Sequence, residues 1–406
     1  MEHSIPPAAG LNSAHAHADD APVVRLLHKM LADAVGMGAS DLHFEPFEQF
    51  CRVRLRIDGV LHELAQPPLS LKDKLSTRLK ILSRLDIAEK RLPQDGKMRL
   101  EVGARNVDFR VSTLPTQFGE KIVLRILDTS QASLAIEQLG YEPAQQEALL
   151  HAIRKPHGMV LMTGPTGSGK TVSLYACLQL LNRPGVNIAT AEDPVEINLP
   201  GISQVGINER AGLSFAVALR AFLRQDPDVL MVGEIRDLET ADIAVKASQT
   251  GHLVLSTLHT NDAPSTLTRL LNMGVPAYNI AASVGLIVAQ RLVRRLCSCR
   301  RPAQAPPEVL QRAGLGEGDI ARVPTLPGLF TPQGCADCNH TGYRGRTGIY
   351  QVMPVSPAME ALILAQASTQ EIARQARSEG IADLRRAGLL KALRGETSLG
   401  EVLACT

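Results

Sequence analysis

The period of apolar and polar positions changes several times along the chain. From Val23, "VVRLLHKMLADAVGMG" repeats at helical spacing and stops at glycines, which predicts a helix. In "CRVRLRIDGVLHEL", Val53, Leu55 and Ile57 alternate with Arg52, Arg54 and Arg56. That is the period of a strand with one buried face, and the three arginines are expected to be its surface charges. "LKDKLSTRLKILSRL" reads as a second helix, and "KMRLEV", "NVDFRVSTL" and "KIVLRIL" as further strands. These elements make an α+β domain over residues 23–130, a normal size for one domain. Residues 1–22 are small, polar and aperiodic, and a disordered, solvated tail is expected there.

From residue 136 the pattern differs. Wholly apolar runs, "GMVLMT", "DVLMVG" and "HLVLST", alternate with amphipathic segments. Such alternation predicts an α/β domain, a parallel sheet with helices on both faces. The long apolar stretch "VPAYNIAASVGLIVAQRLV" is interrupted by Pro276, Asn279 and Gln290 and is expected to be a buried helix rather than a membrane span. Residues 300–334 are rich in Pro, Gly and Ala and read as a loop or insertion; residues 355–406 read as helical.

Composition narrows the function. The chain has 406 residues, a hydrophobic fraction of 45% and a net charge of +2. It therefore buries a real core, and it lacks the strongly basic profile of a nucleic-acid binder. The start "MEHSIPPAAG" does not have the basic end and apolar run of a signal peptide, so a cytoplasmic protein with reduced thiols is expected.

"GPTGSGKT" is the phosphate-loop pattern, placed between a predicted strand and a predicted helix. Gly164, Pro165, Thr166, Gly167, Ser168 and Gly169 would wrap backbone N–H groups around phosphate oxygens. Lys170 would meet the β and γ phosphates, and the Thr171 hydroxyl would meet Mg²⁺. "DPDVLMVGEIRD" delivers Glu234 to the end of a strand, where a carboxylate can hold Mg²⁺ through water or order the attacking water. "AEDPVE" places Glu192, Asp193 and Glu196 near the end of another strand, and one of these can activate water. "TGHLVLSTLHTNDA" brings His252 and His259, either of which could sense the γ-phosphate.

Together, these four segments resemble the Walker A, Asp, Walker B and His boxes of the type II secretion and type IV pilus ATPases. "ASDLHFEP", "RIDGVL", "DIAEKRLPQDGK" and "FRVSTLPTQFGEKIVLRILD" extend the resemblance from Ala39 nearly to the end. The wording looks most like the pilus-extension branch, with the secretion branch close behind. The resemblance implies a RecA-like ATPase core preceded by a smaller, PAS-like α+β domain. It also implies a homo-hexameric motor that hydrolyses ATP with Mg²⁺ and drives pilin polymerisation. The partner would be an inner-membrane platform protein, at the cytoplasmic face of the membrane. Glu196, Glu234 and His259 match catalytic positions of the boxes. Arg110 and Arg125 match arginines that reach the phosphates from the N-terminal domain, and Arg220, Arg224 and Arg236 match further basic positions around the site. Long family members carry an additional N-terminal docking domain where only a short tail precedes Val23 here, so recruitment through another surface or a shortened paralogue is expected.

Cys297 and Cys299 in "CSC", with Cys335 and Cys338 in "CADC", suggest a Cys₄ zinc site of structural type. The second pair resembles half of the family's tetracysteine motif; the first is one residue shorter than the commoner C-x-x-C, which leaves four free thiols as the alternative. Two other functions remain to be weighed: a nucleic-acid translocase, disfavoured by charge and by 3% aromatic content, and an inactive scaffold, disfavoured by the intact Lys170, Glu196, Glu234 and His259.

Overall fold

The computed structural model describes residues 21–102, 105–127, 135–321 and 328–406. The expected tail, residues 1–20, lies outside them. Contacts divide the chain into two units, between Asp128 and Thr129.

The first unit contains α1 (Ala21–Gly36), β1 (Asp41–Pro46), β2 (Cys51–Ile57), β3 (Val60–Ala65), α2 (Lys72–Leu82), β4 (Gln94–Val102), β5 (Arg105–Thr116) and β6 (Gly119–Leu127). The strands form an antiparallel sheet in the order β3-β2-β1-β6-β5-β4. Leu27 and Leu31 of α1 and Leu75 and Leu79 of α2 are buried in one cluster with Leu42, Val53, Leu55, Phe109 and Leu124. The alternation in β2 is the reason: Val53 and Leu55 enter this core. Arg52 and Arg54 instead pair with Glu45 on β1, and Arg56 approaches Asp41. Asp58 and Gly59, both with positive φ, turn β2 into β3. Lys80 is fully buried and donates to Glu120 and to the Glu89 carbonyl, each at 2.6 Å. With Gln94 it fixes the loop "DIAEKRLPQDGK".

The second unit begins with α3 (Pro143–Ile153), β7 (Gly158–Thr163), α4 (Lys170–Leu181), β8 (Ile188–Glu192), β9 (Ser203–Gly206), α5 (Phe215–Phe222) and β10 (Val229–Val232). It continues through α6 (Leu238–Gln249), β11 (Leu253–Leu258), α7 (Ala263–Asn272), α8 (Ala277–Ser283) and β12 (Val284–Leu296). Then come β13 (Arg301–Ala303), α9 (Pro307–Ala313), α10 (Glu317–Ile320), β14 (Leu329–Thr331) and β15 (Tyr343–Pro354). Four helices close the chain: α11 (Pro357–Leu364), α12 (Thr369–Ser378), α13 (Leu384–Leu393) and α14 (Leu399–Cys405).

Its main sheet runs β15-β12-β7-β11-β10-β8-β9, parallel throughout except for the edge strand β15. Both faces are covered, which explains the wholly apolar runs. In β7, Met159 and Leu161 point into a core shared with α5, α6, α7, α8, α11 and α12, while Val160 and Met162 enter a second core with α3 and α4. A third, smaller core packs α9 and β14 against α13 and α14.

Two expectations are corrected. The stretch from Val275 is helical only over Ala277–Ser283; Val284–Leu296 is a strand parallel to β7. Its β-branched Val284, Ile287, Val288 and Val293 suit a fully buried strand, whose apolar run cannot be told from a buried helix by periodicity alone. Residues 300–334 are not wholly loop, because β13, α9, α10 and β14 lie there. Among the described residues no helix is long and apolar enough to cross a membrane.

Candidate nucleotide-binding site

The phosphate loop joins the end of β7 to the start of α4. Gly164, Gly167 and Gly169 take φ of 148°, 78° and 89°, conformations that side chains avoid. Space reinforces the choice. A Cβ at Gly164 would come within 2.5 Å of the Gln290 carbonyl oxygen, and one at Gly169 within 2.7 Å of Gln290 Nε2. The loop is thus pressed against β12. Thr166 and Thr171 are exposed, and Ser168 is buried beside Gly164. Lys170 Nζ donates to the carbonyls of Gly164 (2.7 Å) and Pro165 (3.0 Å). Burial holds its ammonium down at about 8, with the nearby charge of Arg291 acting in the same direction and Glu234 opposing both. The start of α4 adds its partial positive charge to the same place.

Glu234 follows β10. Its carboxylate pairs with Arg236, and His259, just beyond β11, brings Nε2 to 3.4 Å from its other oxygen. Arg236 also reaches Asp193, beyond β8, at 3.8 Å. Groups from three neighbouring strands therefore converge at the carboxyl ends of the sheet, where open α/β sheets bind ligands. His252 stands at the opposite end of β11, its Nδ1 at 2.9 Å from the Ala247 carbonyl, and is held structurally.

The carboxylates of "AEDPVE" separate by environment. Glu192 is buried and bonded to Tyr175, Thr190 and Gln204. Asp193 is exposed beside Arg236, and Glu196 is half-buried with its N–H donating to Tyr175 Oη at 3.3 Å. Arg220 and Arg224 lie on the exposed surface at the end of α5; Arg220 pairs with Glu239 at 2.6 Å, and Arg224 donates to the Arg220 carbonyl. In the first unit Arg110 and Arg125 face one another across β5 and β6, and Arg125 Nε lies 3.0 Å from Asp41 Oδ1.

Sequence reasoning missed Gln290 and Arg291. Gln290 accepts from Ser173 Oγ at 2.9 Å. Arg291 donates to the carbonyls of Gln290 (3.1 Å) and Asn261 (2.9 Å), so its guanidinium lies between the phosphate loop and the segment after His259. The only available signal was the "QR" pair within a run read as helix.

The four cysteines of the two pairs meet, their sulfurs all within 4.8 Å of one another. Cys297–Cys335, Cys299–Cys338 and Cys335–Cys338 are 3.8, 3.9 and 3.8 Å apart. Zinc–sulfur bonds of ~2.3 Å in a tetrahedron give edges of about 3.8 Å, so this donor set fits zinc. Burial pushes the Cys338 thiol up, but N–H groups of Cys335 (3.1 Å) and Gly342 (3.2 Å) donate to its sulfur and bring it down to about 6. Four thiolates would leave no open position, which marks a structural site.

A phosphate loop at the head of a two-sided parallel sheet, with Lys170 and an acidic strand end in electrostatic contact, defines a P-loop ATPase. The chain belongs to the type II/IV secretion system protein family, whose pattern matches residues 16–404. It is 59% identical to the type IV pilus assembly ATPase PilB of Pseudomonas aeruginosa, over 96% of this chain and 68% of that protein. PilB of Acinetobacter baylyi is 57% identical over 95% of the chain and 66% of its own length, so the chain spans about two thirds of these relatives. Type II secretion system protein E of Aeromonas hydrophila is 48% identical, over 96% of the chain and 76% of its own length. The fold is also that of the ATPase DotB of Legionella pneumophila (TM-score 0.68, 20% identity, 94% and 95% of the two chains). The pilus retraction motor PilT shares it too (TM-score 0.62, 23% identity, 93% and 96%).

Proposed function

We propose that the protein is an ATP-driven motor that powers type IV pilus assembly. The motor is a homo-hexamer at the cytoplasmic face of the inner membrane, and it acts through a membrane platform protein that adds pilin subunits. One observation carries the chemistry: Glu234 faces His259 and Arg236 while its charge acts on Lys170, so these groups gather with the phosphate-loop cation at the carboxyl ends of the sheet. Similarity to the PilB proteins supports the assembly role.

The substrate is ATP. Lys170 and the loop N–H groups bind its phosphates, and Thr171 would hold Mg²⁺, which when bound neutralises phosphate charge. A water attacks the γ-phosphorus, the bond to the β–γ bridging oxygen breaks, and ADP leaves with inorganic phosphate. Glu234 orders that water and Glu196 takes its proton, while His259 holds Glu234. Arg110 and Arg125 supply positive charge from the first unit, with Arg220, Arg224 and Arg236 around the rim. Arg110 and Arg125 belong to the first unit, so a need for them would tie hydrolysis to movement of that unit. Cys297, Cys299, Cys335 and Cys338 hold a structural zinc. A second reading, a type II secretion ATPase, is favoured by the identity to the E proteins.

The test is ATPase activity of the full chain, wild type against Glu234→Gln, with and without the cytoplasmic domain of the platform protein. Glu234→Gln should bind ATP and turn over at least tenfold slower, a loss of about 1.4 kcal/mol or more. The pilus platform domain should stimulate the wild type more than its secretion counterpart does. Wild-type turnover in the variant would refute the role of Glu234, and steeply salt-dependent stimulation by DNA would favour a translocase.

A further inference from the structure

We propose that Tyr175 is a positioning residue for hydrolysis, clamping the segment that carries Glu196 to the helix that holds the phosphates. The proposal rests on the reading of Glu196 as the proton-accepting carboxylate.

Tyr175 is 1% exposed and lies on α4, one turn beyond Thr171 and on the same face of the helix. Its phenol donates to one oxygen of Glu192. The other oxygen accepts from Thr190 Oγ1 at 2.6 Å and from Gln204 Nε2 at 3.0 Å. The phenol oxygen accepts in turn from the Glu196 N–H at 3.3 Å, with the Ile197 N–H directed at it as well. Gln204 completes the arrangement: its Nε2 donates to the Ile197 carbonyl at 3.0 Å and its Oε1 accepts from the Leu199 N–H at 2.6 Å. Two side chains, Tyr175 and Gln204, thus hold the backbone at Glu196 and just after it, and Glu192 ties the two together.

The placement is chemically demanding. Glu192 is 4% exposed, and Tyr175, Thr190 and Gln204, which donate to it, are all neutral. Such a carboxylate is tolerated only when its hydrogen bonds are complete. Burial and the adjoining carboxylate push the phenol far above its ordinary value, so Tyr175 stays a donor throughout the working range of pH. Filling this interior would need only a phenylalanine and an apolar neighbour. The polar set does something more, since it ties α4, which carries Lys170 and Thr171, to the Glu196 segment. Catalytic geometry repays such rigidity, because a misplacement of about 1 Å can cost on the order of a hundredfold in rate.

The test uses the full chain and two measurements, steady-state ATPase activity and binding of a fluorescent ATP analogue. Tyr175→Phe should lower kcat about tenfold or more and leave analogue affinity within about twofold. A purely structural role would instead lower the folded fraction and leave kcat per folded molecule alone. In a Glu196→Gln background Tyr175→Phe should cause no further loss, since it acts through that residue. Gln204→Ala should reproduce the kcat loss, and it decides the matter by the same split if Tyr175→Phe fails to fold. Normal turnover in Tyr175→Phe beside an impaired Glu196→Gln would overturn the positioning role alone, and so would a fully additive double variant. Normal turnover in Glu196→Gln would overturn the reading of Glu196 and this proposal with it.

Discussion

Glu234 and His259 leave different strands of the sheet and meet with Oε2 and Nε2 3.4 Å apart. The imidazole can hold the carboxylate in place or follow it when phosphate arrives. His259→Ala should therefore lower kcat about tenfold, about 1.4 kcal/mol, while ATP affinity changes little. Single-turnover hydrolysis with radiolabelled ATP, compared with equilibrium binding, checks this. A loss of affinity equal to the loss of rate would assign His259 to ground-state binding instead.

Lys170 gives the site a pH dependence. Burial holds its ammonium at about 8, well below the ordinary lysine value. Phosphate binding needs the charged form, which is complete below that value and lost above it. ATP affinity should therefore be flat from pH 6 to 7.5 and weaken as pH rises past about 8, with a proton taken up on binding there. Titrations between pH 7 and 9.5 measure the slope. Lys170→Arg, always charged, should remove the slope even where it weakens binding.

Arg291 lies against the phosphate loop and is partly shielded from solvent, which pushes its guanidinium value down. Through its bond to the Asn261 carbonyl it also ties the loop to the segment after β11. Arg291→Ala should raise KM for ATP several-fold with a smaller effect on kcat. Steady-state kinetics decide it, and an unchanged KM would leave Arg291 a packing residue.

The four cysteines predict one zinc per chain, measurable by metal analysis of the purified protein. Cys338→Ser should lose the metal and lower Tm by several degrees. ATP turnover per folded molecule should stay near the wild-type value, because four sulfurs offer no position for water. Retention of metal in that variant would place it elsewhere.

How much of this was legible in the sequence follows from how local each signal is. The phosphate loop was readable because glycines, Lys170 and Thr171 are contiguous, and the strand and helix around them are short and strongly patterned. Glu234 and His259 were readable as strand ends, although their meeting was not. β12 was misread because a strand buried on both faces shows no alternation, and with it Gln290 and Arg291 went unseen. In "AEDPVE" only the resemblance singled out Glu196; the physical difference from Glu192 needs Tyr175 and Gln204, which arrive from α4 and β9. The two cysteine pairs suggested zinc, with the short C-x-C spacing leaving free thiols as the alternative. Cys297 and Cys299, just beyond the end of β12, and the turn at Cys335–Cys338 bring their sulfurs together.

The tight seat of Gly164 and Gly169 on Gln290 has a consequence for divergence. At 164 the obstruction is main chain, so no exchange at 290 could make room for a methyl group. At 169 it is the amide of Gln290, and trimming that amide would strip Ser173 of its acceptor. Loop and strand can drift only as a matched pair, so lineages that reshape one should carry the imprint in the other.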